Sequence, residues 1–138
     1  MHSVHSESTE TTARIRLSYA AEASALAPIR RSLRNWLSHS AIGHEDTCDL
    51  VLAVTEACTN SIEHAYSAEA GTLQVEGELL DDHVWIAVTD DGRWRPAVQD
   101  AEALRGRGIG IIRTLIPDSI ISTSAAGTTV EMRVPLCA

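Results

Sequence analysis

Residues 84 to 90, VWIAVTD, place Val84, Ile86 and Val88 at every second position and end that row on Asp90. Successive side chains of a strand point to opposite faces, so this segment has one apolar face and one carrying Trp85, Ala87 and Thr89. The same alternation runs through Ala13, Ile15, Leu17 and Tyr19 against Arg14, Arg16 and Ser18. It returns at Leu73 and Val75 against Gln74 and Glu76, and at Thr128, Val130, Met132 and Val134 against Thr129, Glu131 and Arg133. A sheet built from such strands meets helices on one face and water or a partner on the other. That excludes a doubly wound fold, whose strands are apolar throughout. The turn signals LDDH at 80 to 83 and AAG at 125 to 127 mark hairpins, so the sheet is expected to be mixed and mostly antiparallel. The fold class that follows is α/β, a two-layer sandwich with helices on one face.

Helical spacing appears over 22 to 39, with Leu26, Ile29, Leu33, Trp36 and Leu37 near one face; a start near Ser24 leaves Pro28 in the first turn. A longer helix is predicted from Glu45 to Ala65, and a short one from Gly108 to Leu115, stopped by Pro117. Residues 93 to 105 read as loop or weak helix, and 119 to 124 as a strand. Residues 1 to 12, MHSVHSESTETT, are polar and aperiodic, which predicts a disordered tail before one domain at 13–138.

The 138 residues contain no apolar run of about 20, the length a membrane span needs, and no signal-like opening, so a cytoplasmic protein with no membrane partner is expected. A net charge of -8 argues against a nucleic-acid surface. All 11 basic residues are arginine; the lack of lysine excludes a Walker-type loop and Schiff-base chemistry. Cys48, Cys58 and Cys137 are widely separated and read as small buried hydrophobes plus one terminal thiol. The histidines have no ligand spacing, so no structural metal is expected.

Three polar elements interrupt the apolar layer. On the long helix, TEACTNSIEHAY puts Glu56 and Asn60 one turn apart, within roughly 40° of each other, with Glu63 in line. Such a pair serves as a base and an oxygen ligand for magnesium, or forms a solvated face; the small neighbours Ala53, Ala57, Thr59 and Ser61 leave room for a ligand. Asp90, inward at the end of its strand, must accept hydrogen bonds, from an adenine amino group or from the amides of the following DG turn. Thr128, inward at the start of the last strand, either binds a ligand or satisfies a neighbouring carbonyl. Between them RGRGIGIIR, 105 to 113, carries Gly106, Gly108 and Gly110, a phosphate loop or a turn needing freedom in φ.

The order of these elements resembles the nucleotide-binding boxes of the GHKL (histidine-kinase-like) ATPase superfamily, and more closely its anti-sigma-factor serine/threonine kinases. The resemblance covers the chain from about residue 13 and implies the Bergerat-type ATP-binding fold. It implies ATP and Mg2+ as cofactors, Asn60 as the magnesium ligand and Glu56 as the catalytic base. It implies Asp90 on the adenine amino group, Gly92 for close approach and Thr128 acting through a water. Gly106, Gly108 and Gly110 would cradle the phosphates; Arg105 and Arg107 either add positive charge or are simply exposed. His64 matches the end of the helix box and reads as packing or hydrogen bonding before chemistry. The implied partners are a sigma factor and an anti-anti-sigma protein of the STAS type; a homodimer by sheet-face or edge pairing rests on analogy alone.

Two departures accompany the resemblance. Trp94 stands where the family's second box has its last glycine, and only about a dozen residues separate that box from the glycine loop. The short segment argues against a long lid, and no phosphoacceptor-histidine hairpin precedes the domain, which argues against a complete sensor kinase. Trp85, Trp94 and Arg95 are candidate partner contacts. The alternative reading is a non-catalytic nucleotide-sensing module, which needs Asn60, Asp90 and the glycines but not Glu56.

Overall fold

A computed structural model describes residues 7–10, 13–64, 71–91, 109–124 and 127–136. The alternating segments form strands β1 (Glu7–Glu10), β2 (Arg14–Ala20), β3 (Thr72–Leu79), β4 (His83–Asp90), β5 (Ser119–Ser124) and β6 (Gly127–Pro135). They make one six-stranded sheet in the order β1-β2-β3-β4-β6-β5. Every neighbouring pair is antiparallel, which corrects the expectation of a mixed sheet. The reason is topological. β5 runs in the same direction as β4, but β6 lies between them, so no parallel neighbours arise.

β1 is the second difference, because residues 7–10 fall within the segment expected to be disordered. They pair with β2 in the register Glu7↔Ser18 to Glu10↔Ile15. A polar strand can do this because edge pairing is made by backbone N–H and C=O groups, which hydrophobic patterning does not reveal.

Helices α1 (Leu26–Leu37), α2 (His44–His64) and α3 (Gly110–Leu115) cover the apolar face. A 3-10 turn at Ala23–Ala25 leads into α1, leaving Pro28 in the first turn, where its missing N–H costs nothing. α1 buries Ile29, Leu33, Trp36 and Leu37. α2 opens with Glu45 and Asp46 against the positive end of its dipole, and buries Leu50, Val51, Val54, Ala57 and Cys58. α3 buries Ile112 and ends at an extended Ile116, just before Pro117. From the sheet, Ile15, Leu17, Leu73, Val75, Val84, Ile86, Val88, Val130, Met132 and Val134 complete the core. No helix among the described residues is long and apolar enough to cross a membrane.

The opposite sheet face is polar and partly self-paired. Arg14 and Arg16 meet Glu78 and Glu76 at 3.8 and 3.4 Å across β2 and β3. Exposed pairs of this kind are worth at most about 1 kcal/mol, so they shape the face more than they hold it. Trp85 is half-buried there, and its indole N–H donates to Glu131 Oε1 at 3.1 Å.

The inner face has one position with no room for a side chain. A Cβ on Gly77 would lie 2.7 Å from Trp36 Cη2 and 3.0 Å from Ile15 Cγ2. Trp36 is fully buried and cannot swing aside. Gly77→Ala is expected to destabilise the domain by about 1–3 kcal/mol through overpacking, measured as a lower urea midpoint at unchanged m-value.

Candidate functional site

Asp90 ends β4 on the inner face and is 2% exposed. Its register partners are Leu73 on β3 and Thr128 on β6, and α2 packs across β4 and β6. The carboxylate therefore sits where the helix layer meets two strands. Ser61 Oγ of α2 donates to Asp90 Oδ2 at 2.5 Å, and the Thr128 backbone N–H donates to Oδ1 at 3.3 Å. Asp91, one residue on and exposed, accepts from the Thr72 N–H at 2.6 Å and ties the start of β3. Alternation has separated two adjacent acids into one buried and one structural group.

Gly127 makes this junction possible. Its φ is +140°, and a Cβ there would fall 1.8 Å from the Asp90 carbonyl oxygen. Only glycine lets β6 begin so close to the end of β4.

Around this junction two buried polar atoms have no partner among the described residues. Asn60 precedes Ser61 and is 8% exposed; its Nδ2 is buried and makes no hydrogen bond among the described residues. The Thr128 hydroxyl is buried and likewise has no partner among the described residues, so it satisfies no carbonyl among them. An unsatisfied buried polar group costs about 1–3 kcal/mol. One of the two belongs to the register partner of Asp90 and the other to the residue before its Ser61 donor, and together they mark a place where a polar ligand or water belongs. Glu56, one turn before Asn60, is half-buried, and Glu63 is exposed. Gly110 opens α3, and among the described residues no atom beyond its chain neighbours and its own helix backbone lies within 4 Å of where its Cβ would be. Gly92, Arg105, Gly106, Arg107 and Gly108 lie outside the described residues, as do Trp94 and Arg95.

Residues 19–134 match the histidine kinase-like ATPase domain. The chain belongs to that family. Among relatives of this histidine kinase-like ATPase domain, the serine-protein kinase RsbW of Bacillus cereus is 30% identical over 79 residues, 57% of this chain and 49% of that protein. The anti-sigma F factor of Caldanaerobacter subterraneus is 31% identical over 99 residues, covering 64% of this chain and 69% of the factor. The crystal structure of the RsbU and RsbW domains of Rv1364c from Mycobacterium tuberculosis superposes with a TM-score of 0.72 at 27% identity, covering 87% of this chain and 31% of that one. The chain spans about half the length of the RsbW kinases it matches.

Within this histidine kinase-like ATPase domain, Asn60, Asp90 and Thr128 lie near one end of the sandwich with two neighbours, Ser61 and Gly127, whose part the sequence does not reveal. In the sequence Ser61 reads only as a small residue, although it sits one residue after Asn60 and so faces a different side of α2. Gly127 reads as part of a turn; the glycine directly before TT is the available signal. Cys58 is buried as expected, but Cys48 is exposed, with Sγ 3.7 Å from His44 Nε2. Cys48 occupies the outward side of the first turns of α2, which the cysteine count could not reveal. Among the described residues no group of three or more His, Cys, Asp or Glu side chains could hold a metal.

Burial, reinforced by the charge of Asp90, pushes the Cys58 thiol up to about 12. The thiolate is the reactive form, so at pH 8 only about one molecule in ten thousand would present it. Alkylation at pH 8 read by mass spectrometry is expected to modify Cys48 within minutes and to leave Cys58 unmodified until the protein is denatured.

Proposed function

We propose that this domain binds ATP with magnesium at the Asp90 junction and is a protein serine/threonine kinase and anti-sigma factor. In one state it would hold a sigma factor; in another it would phosphorylate an anti-anti-sigma protein of the STAS type. Both partners would meet it in the cytoplasm. A homodimer formed through the open sheet face or an edge belongs to the same proposal by analogy. The observation that carries the reading is the buried Asp90 carboxylate, with the Thr128 hydroxyl on its register partner and Asn60 Nδ2 next to its Ser61 donor, both without a partner among the described residues. The names of the RsbW and anti-sigma F relatives support the choice of kinase and partner class.

The residues fit the nucleotide end by end. Asp90 is an acceptor suited to an amino group on the base, with the Thr128 hydroxyl beside it to bind the base or a bridging water. Gly92 would let the base approach closely. Gly106, Gly108 and Gly110 would offer backbone N–H groups to the phosphates, with Arg105 or Arg107 adding charge in a chain without lysine. Asn60 is a single carboxamide rather than an acidic cage, which suits magnesium held largely by the nucleotide's own oxygens. When bound, that ion supplies neutralisation of phosphate charge.

Glu56 would act as general base. It takes the proton of the serine or threonine hydroxyl as that oxygen bonds to the γ-phosphorus, while the bond to the β-phosphate oxygen breaks and ADP leaves. Its place one turn from Asn60 puts base and metal ligand on one side of α2.

Two variants test the reading. Glu56→Ala is expected to keep ATP affinity within about threefold and to lower phosphate transfer by about 100-fold or more, measured on a cognate antagonist isolated with the protein from its native cell. Transfer at the wild-type rate would remove Glu56 as the base and favour the non-catalytic nucleotide-sensing module. Asn60→Ala is expected to abolish the difference between ATP binding with magnesium and with a chelator, read by titration calorimetry; an unchanged difference would rule out the metal-ligand role.

A further inference from the structure

Behind the carboxylate assigned to the nucleobase lies a hydroxyl that the proposed mechanism does not use. Ser61 is 5% exposed and follows Asn60 directly, so the two side chains leave α2 about 100° apart. Its Oγ stands 2.5 Å from Asp90 Oδ2, within the range of a charge-assisted O–H···O⁻ bond. The amide of Thr128 donates to Oδ1 at 3.3 Å, a longer and weaker bond than the one from Ser61.

A serine hydroxyl has a single proton. An ionised carboxylate only accepts, so that proton goes to Asp90 and the Ser61 oxygen is left with lone pairs alone. The terminal torsion of an aspartate is soft, and a bond from the helix layer to one of its oxygens restricts that rotation. The pair thus presents oxygens that receive an N–H and repel a carbonyl oxygen. A helix residue thereby sets what the end of β4 can recognise.

We infer that Ser61 is a positioning residue for base selection. By donating to Asp90 Oδ2 it holds the carboxylate in one orientation as an acceptor, and so favours a 6-aminopurine nucleotide over a 6-oxopurine one. This inference rests on the reading of Asp90 as the nucleobase ligand.

The test compares ATP and inosine triphosphate, which differ in the group at position 6 of the purine and in the proton that the 6-oxo form carries on N1. Binding of each is measured by calorimetry for the wild type, Ser61→Ala, Ser61→Thr and Asp90→Asn. Ser61→Ala is expected to lower the ATP-over-ITP affinity ratio about tenfold, the size of one hydrogen bond to a charged group. Ser61→Thr, which keeps the hydroxyl, is expected to stay within about twofold of the wild-type ratio. If Ser61→Ala does not fold, Ser61→Cys, of similar size and a weak donor, is read by the same criterion. A ratio unchanged in Ser61→Ala but collapsed in Asp90→Asn would overturn the role of Ser61 and leave Asp90 as the base ligand. Equal losses for ATP and ITP in Ser61→Ala would also overturn it, because a general loosening of the site does not discriminate between bases. A ratio unchanged in Asp90→Asn would overturn the base-ligand reading itself, and the inference with it.

Discussion

Asp90 is a charge placed almost entirely out of water, and the rest of this end of the molecule is arranged around it. Burying a carboxylate costs several kcal/mol unless donors replace its hydration. Here the donors come from two layers at once: the Ser61 hydroxyl from the helices and the Thr128 amide from the neighbouring strand. Gly127, at positive φ, is what allows that strand to start within reach. A fault in any one of these would leave a buried charge short of a partner, so the helix layer and the sheet are coupled through this single group.

The two faces of the sheet divide the labour. The inner face is filled so tightly around Trp36 that Gly77 cannot carry even a methyl group. The outer face holds its arginines and glutamates in exposed pairs and keeps Trp85 tied to Glu131. Packing is tightest beneath α1, while Asn60 near the end of α2 carries a buried Nδ2 without a partner among the described residues. A domain of this kind gains order at that end when something binds there, because that atom then finds a partner.

Much of the fold was legible because period-two alternation is a strong signal. It assigned Val84, Ile86, Val88 and Asp90 to one face, and Thr128, Val130, Met132 and Val134 to the matching one, and all eight are buried. The helices followed from spacing and breakers, with α2 starting within one residue of expectation. Strand order was not legible, since nothing in the residues of β6 says that it inserts beside β4. β1 escaped notice because backbone pairing at an edge leaves no hydrophobic trace. In the site, the order of the boxes singled out Asn60, Asp90 and Thr128, whereas the bond between Ser61 and Asp90 spans 29 residues and becomes visible only in three dimensions.

The insertion of β6 between β4 and β5 also bears on when the site comes into being. Asp90 and Thr128 are 38 residues apart in sequence, and a hairpin of β5 and β6 can form locally before either touches β4. The junction at Asp90 is complete only once that hairpin has docked, a closure over a long loop that carries its own entropic cost. A molecule gripping both strands at this point would act as a latch on the docked hairpin, making occupancy of the site a report on whether the chain has finished folding.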